Sequence, residues 1–178
     1  MTTESPQVLL EPWAEDGLEL LRATNTPEMT AFLGGPESDE KVADRHRRYL
    51  DPEENGTMFR VVMLPERVVV GSTGFWEHEW DGEPAYETGY GILPGYQGRG
   101  LAVAAMRAVV GAARADGRRR HLYAFPSVLH GASNAVCRKA GFELVGESEF
   151  EYPKGHFLRS NVWRVDLTAG VGEADTGE

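Results

Sequence analysis

The 178-residue sequence predicts an α/β domain, a mixed central sheet flanked by helices, and three observations carry that prediction. Apolar residues switch along the chain between the two-residue period of strands and the wider spacing of helices. In the second half, strands and helices take turns, so the crossovers demand parallel pairing locally. Midway, at residues 90–103, a strand runs through a glycine-rich turn straight into a helix.

The elements follow in order. Residues 7–11 read as a short first strand, and 16–22, with Leu18, Leu20 and Leu21 apolar, as a helix. Residues 37–50 form a polar helix that acids open and Arg45, Arg47 and Arg48 close, as the macrodipole prefers. Its start has Ser38 followed by Lys41, short of a full capping box. The β-rich runs 58–63 and 68–76 flank the sequence LPER, a hairpin pattern, and 84–93 is a further strand. Residues 101–114 carry apolar positions at helical spacing and stop at Asp116 and Gly117, a C-cap signature. A strand at 121–125, a short helix at 133–139 closed by Gly141, a strand at 142–150 and a last strand at 161–167 complete the pattern. One domain is expected over 7–167, with a flexible N-terminus at 1–6. The acidic tail 168–178 holds too little large apolar material to pack.

Composition narrows the function. Lys and Arg total 18 against 28 Asp and Glu, a net charge of −10. A basic surface is what nucleic acid or an anionic membrane requires, so neither is expected as a partner. Cys137 is the single cysteine, which rules out an internal disulfide and any multi-cysteine metal site. The five histidines (His46, His78, His121, His130 and His156) show no metal-binding spacing, so no metal is expected. The N-terminus lacks a signal-peptide pattern and no apolar run approaches the roughly 18 residues of a membrane span, so a cytoplasmic location is expected.

The chemistry concentrates at Tyr90, Gly91, Ile92, Leu93, Pro94, Gly95, Tyr96, Gln97, Gly98, Arg99, Gly100, Leu101, Ala102 and Val103. Where a glycine loop opens a helix, amide N–H groups converge and the dipole favours negative charge, so a phosphorylated ligand fits. Glycines let the backbone approach closely, and Gln97 and Arg99 add side-chain donors. The loop is not a Walker loop, for no Lys-Ser or Lys-Thr pair follows it. Its Gly95, Gly98 and Gly100 reverse the dinucleotide spacing.

The run from Gln97 to Ala102, Q-x-x-G-x-A after a strand and Pro94, resembles the acyl-CoA pyrophosphate loop of the GNAT superfamily of N-acetyltransferases. A second stretch, HGASNAVCRKAGF at 130–142, resembles that family's later signature, with Ser133, Lys139, Gly141 and Phe142 at matching spacing. Residues 37–50 and 86–90 also resemble the branch that acetylates ribosomal-protein termini and related amines. The likeness spans roughly 7–167. It implies acetyl-CoA as co-substrate and direct acetyl transfer to a primary amine, on a small molecule or a peptide N-terminus, without an acyl-enzyme. It also implies a cofactor site of Tyr90, Gly91, Ile92, Leu93, Gln97, Gly98, Arg99, Gly100, Leu101, Ala102, Val103, His130, Ser133 and Asn134.

The strand through 89–93 should splay from its neighbour near a bulge, freeing a backbone N–H to polarise the thioester carbonyl. Glu87 is the candidate base, with Glu77, His78 and Glu79 in reserve. Two positions depart from the family pattern. His130 replaces the usual Asn, so His130 itself or Asn134 must make that contact to the CoA arm. Cys137 replaces a Tyr that protonates the departing thiolate, and is read either as the proton donor in its stead or as a packed apolar side chain. Those departures leave open a catalytically silent CoA-binding regulatory module of the same fold. Arg118, Arg119 and Arg120 are read either as a CoA 3′-phosphate contact or as a solvated turn. Trp13, Phe32, Trp76, Trp80 and Phe157 are candidates to line the acceptor cleft. A homodimer through an exposed C-terminal strand is expected by fold analogy.

Overall fold

A computed structural model describes residues 5–168 apart from 52, 55, 152, 153 and 156. Residues 1–4 and 169–178, where a flexible start and an acidic tail are expected, lie outside the described residues. The elements are β1 (Gln7–Pro12), α1 (Gly17–Thr24), α2 (Asp39–Leu50), β2 (Gly56–Leu64), β3 (Val68–Trp80) and β4 (Glu83–Ile92). A 3-10 turn (Pro94–Tyr96) then leads to α3 (Leu101–Asp116), β5 (His121–Ala124), α4 (Gly131–Lys139), β6 (Glu143–Glu151) and β7 (Phe157–Asp166).

Seven strands make one mixed sheet in the order β1-β2-β3-β4-β5-β7-β6. Its parallel pair is β4–β5, the two strands joined by the α3 crossover. The α4 crossover, by contrast, does not pair its own strands, because β7 inserts between β5 and β6 and runs antiparallel to both. The C-terminal strand is therefore interior, which removes the exposed edge expected to form a dimer. The edge strands are β1 and, at the C-terminal end of the order, β6, which carries Glu143, Glu147, Glu149 and Glu151, whose like charges oppose pairing with a second copy. β7 also begins four residues earlier than the sequence pattern suggests, since its hairpin with β6 runs out to Glu151↔Phe157.

One face of the sheet packs on α3 and α4. Leu101, Ala105, Met106, Val109, Val110 and Ala113 are all buried and lie along one side of α3, over Phe75, Tyr86, Leu122 and Val61 of the strands. α3 stops at Gly117, whose φ of +72° carries the amide back to the Ala113 carbonyl at 3.2 Å. On the other face, Leu20 and Leu21 of α1 and Val42 of α2 close a smaller core with Trp13, against Met58, Val69 and Leu93. Ser38 caps α2 by accepting from the Lys41 N–H at 3.3 Å.

The sheet opens at one place. β4 and β5 pair only at Tyr86↔Leu122 and Glu87↔Tyr123; past them β4 continues to Ile92 on β3 alone. The expected splay is present without the expected bulge, for the β3–β4 register runs unbroken from Gly71↔Ile92 to Trp80↔Glu83. The register shifts fall instead at Val61/Val62 and Leu144/Gly146. Divergence comes from β5, which is four residues long and turns away toward α4.

Candidate active site

β4 presents its two faces to different tasks. Tyr86, Thr88 and Ile92 point into the α3 side and are buried. Tyr86 donates to the Asp116 carboxylate, and burial pushes its phenol up to about 12. Thr88 donates to the Gly74 carbonyl at 2.6 Å. Tyr90 lies on the same side and reaches across the splay to donate to Ser133 Oγ of α4 at 3.4 Å. The alternate residues Glu87, Gly89 and Gly91 face the other way. A Cβ at Gly89 would only touch Trp76 at 3.5 Å, and one at Gly91 the Met29 methyl at 3.7 Å, so packing does not require glycine there. Their bareness leaves that face of the strand open.

The loop after β4 is built for an anion. Gln97 Nε2 donates to the Ile92 carbonyl at 2.9 Å, tying the loop to the strand end. Gly98 and Gly100 hold φ of +77° and +78°, a conformation that side chains disfavour. The first bond of α3 runs from the Ala104 N–H to the Gly100 carbonyl, so the amides of Leu101, Ala102 and Val103 have no acceptor in their own helix. The first turn carries no acidic residue, and the Arg99 guanidinium lies 5.3 Å from the Tyr96 ring centroid at the loop. A diphosphate fits this arrangement. Ile92 and Leu101 bury their side chains in the α3 core and Leu93 packs toward α1 and α2, leaving their backbones to meet a ligand.

Glu87 sits at the apex of the splay, paired with Tyr123 in the last rung of the β4–β5 ladder. Its Oε2 accepts from Trp76 Nε1 at 3.0 Å and lies 3.4 Å from His78 Nδ1. Oε1 makes no hydrogen bond to any described residue. Burial pushes the carboxyl above its ordinary range, while the Trp76 N–H and the charge of His78 pull it partly back. Of the reserves, Glu77 is bound to Arg119 at 2.8 Å and Glu79 is exposed; His78 belongs to the Glu87 site itself.

On α4 the expected roles separate. His130 precedes the helix with no side-chain capping bond and stacks on Phe32, centroids 4.4 Å apart, and burial lowers its pKa. Asn134 is not available to a CoA arm. Its amide donates to the Ser127 and His130 carbonyls, and its oxygen accepts from Asn161 Nδ2 and Trp163 Nε1, which exhausts both ends of the group. Cys137 is 1% exposed among Met106, Phe142 and Trp163, and burial pushes its thiol up to about 12. Cys137 is therefore a packing side chain rather than a proton donor: it is sealed in the core, and burial holds its thiol well above the ordinary range.

The arginine run is likewise a structural turn at the far end of α3 from the loop. Arg118 pairs with Asp116, Arg119 with Glu77 and Arg120 with Asp166. Among the aromatic candidates, Trp13 is core and donates to His46 Nδ1 at 3.0 Å, and Phe157 is exposed at the start of β7. Trp76 and Trp80 stand on the Glu87 face. The sequence reading missed Tyr123 and Phe125, which join them there; the alternation of His121, Tyr123 and Phe125 was the available signal. Among the described residues no group of His, Cys, Asp and Glu is placed to hold a metal, and no helix is long and apolar enough to cross a membrane.

A sheet split at its one parallel pair, with an anion-ready helix start at the open end and a half-buried carboxylate at the apex, defines an acyl-CoA-dependent transferase. The Acetyltransferase (GNAT) domain family matches residues 7–143, and the chain belongs to it. It is accordingly an acetyl-CoA-dependent N-acetyltransferase acting on amines. No curated protein matches the sequence. Among solved structures, spermidine N-acetyltransferase from Vibrio cholerae, in complex with CoA and spermine, is similar at 14% identity and TM-score 0.75 over 91% of this chain and 96% of that one. An acetyltransferase from Salmonella typhimurium that modifies the N-terminal serine of ribosomal protein L7/L12 aligns at 20% identity and TM-score 0.74, over 90% and 95%. A GNAT-family acetyltransferase from Bacillus anthracis aligns at 18% identity and TM-score 0.74, over 92% and 97%.

Proposed function

We propose that acetyl transfer takes place at the apex of the β4–β5 splay, with Glu87 as the general base. Acetyl-CoA supplies the activated acetyl group. The amides opening α3, with Arg99, hold its diphosphate, and the unpaired edge of β4 beyond Glu87 offers a backbone N–H to the thioester carbonyl. Glu87 Oε1 takes the proton of the acceptor ammonium, while Trp76 and His78 fix Oε2. As the tetrahedral adduct collapses, the remaining nitrogen proton passes to the departing sulfur and CoA leaves as the thiol.

The observation that carries this reading is the end of strand pairing at Glu87↔Tyr123. It supports Glu87, whose carboxyl burial raises, as the base beside the reacting end of a ligand lying between the strands. A primary amine is the acceptor, on a small molecule or a peptide N-terminus; the acceptors named for the Vibrio and Salmonella proteins are both amines. A need for acetyl-CoA supports a cytoplasmic location.

The test is calorimetric titration with acetyl-CoA, using ATP and NAD as controls, followed by CoA release in the presence of amines. Selective binding of acetyl-CoA and amine-dependent release are expected. No heat with acetyl-CoA would mean that the glycine loop is only a turn.

A further inference from the structure

We propose that the acceptor site is an aromatic floor beside Glu87, and that it takes an amine with a single ammonium on a flat apolar body. This rests on Glu87 acting at the apex as argued above.

Strand alternation brings Trp76, His78 and Trp80 of β3 to the same face as Glu87, and β5 adds Tyr123 with Phe125 just beyond it. The rings form a continuous wall. Trp80 lies 5.6 Å from Tyr123 and 5.3 Å from Phe125, Phe125 lies 5.1 Å from His78, and the Tyr123 and Phe125 planes are only 9° apart. Ala85 and Val162 pack beneath them. Trp76, His78, Trp80 and Phe125 remain half-buried, so the floor is accessible. Within it, His78 Nε2 is buried with no partner among the described residues.

Charge selects the number of ammonium groups. Besides Glu87 at the apex, register sets Glu143, Asp166 (paired with Arg120) and Glu83 on this face, Glu83 exposed opposite Trp80 and four residues back from Glu87 along β4. That spacing is about 13 Å of strand. Arg164 faces the same way level with Glu87, on the far side of Tyr123 in the β4–β5–β7 register. A second ammonium toward β7 would meet the Arg164 guanidinium, and one further off only exposed carboxylates or one already paired with Arg120. One cation held by Glu87, with a planar body stacked on the rings, matches the carboxylate and the aromatic surface of the wall.

The experiment compares 2-phenylethylamine, n-hexylamine, spermidine and a short seryl peptide as acceptors, following CoA release by the full-length protein. Phenylethylamine is expected to exceed each of the others by about ten-fold in kcat/KM. Trp80→Ala, and the milder Phe125→Leu, should collapse that advantage to about two-fold, mainly through KM, with acetyl-CoA affinity by calorimetry retained. In the presence of CoA, phenylethylamine should also quench tryptophan fluorescence. A preference for spermidine or the peptide, no turnover of any amine despite acetyl-CoA binding, or a Trp80→Ala variant that lowers all amines alike would overturn the floor and leave the acetyl-CoA site standing. Absence of acetyl-CoA binding would remove both readings together.

Discussion

The two faces of β4 differ more than any two separate regions of the molecule. Toward α3, Tyr86, Thr88 and Ile92 are each less than 5% exposed, and both polar groups among them are hydrogen-bonded in place. On the other face, Glu87, Gly89 and Gly91 leave a carboxylate with one free oxygen and two bare stretches of backbone. One strand thus serves as core and as cleft wall at once, because successive residues point to opposite sides. What separates the two is satisfaction of polar groups. The packed face completes its hydrogen bonds, and the open face keeps donors and acceptors in reserve for a ligand.

That contrast can be broken at its strongest point first. Gly100→Val places a branched side chain at φ +78°, with its Cβ 3.3 Å from Pro6 Cγ. Acetyl-CoA binding should fall below calorimetric detection, while circular dichroism stays native and stability drops by about 1–3 kcal/mol. Glu87→Gln should lower kcat by about 10²- to 10³-fold with acetyl-CoA affinity unchanged. The base works ionised, so wild-type kcat/KM rises as pH climbs through the raised Glu87 pKa, and the variant should lose that acid limb. A retained limb in the pH–rate profile would assign the base elsewhere.

On the packed side, Asn134→Ala removes four hydrogen bonds that join α4 to β7 and to the segment before it. A loss of about 2–4 kcal/mol in urea unfolding is expected, because buried Trp163 Nε1 is left unpaired. Cys137→Ala should cost only about 1 kcal/mol and leave the pH profile unmoved, as suits a methyl-sized packing role. Smallest of all in stability is Gly89→Ala, whose Cβ meets Trp76 at an ordinary 3.5 Å. Its stability should stay within about 0.5 kcal/mol of wild type, and a several-fold rise in the acceptor KM would show that the open face is used.

Much of this was legible beforehand. The loop could be read residue by residue, since an anion site at a helix start depends on local backbone chemistry: glycines at positive φ, free amides and no acid in the first turn. Glu87 was legible as a candidate because it lies on the strand that enters the loop and because the resembled family branch commonly carries a Glu there. Other roles were not. Asn134 and Cys137 have the right residue types and spacing for ligand and proton donor, and only their neighbours show that one is hydrogen-bonded to capacity and the other sealed in the core. Arg119 reads as a free cation until Glu77, 42 residues away, is found beside it.

By itself the sequence determined the elements and the strand–glycine–helix junction, which follow from short-range periodicity and local conformational preference, and the family, which the motifs at 97–102 and 130–142 carry. The tertiary structure decided which strand is interior, where β4 and β5 part, and which polar groups are left unspent. Those depend on pairings between residues far apart in the chain, such as Glu87 with Tyr123 and Asn134 with Trp163, and no local pattern encodes a partner's position.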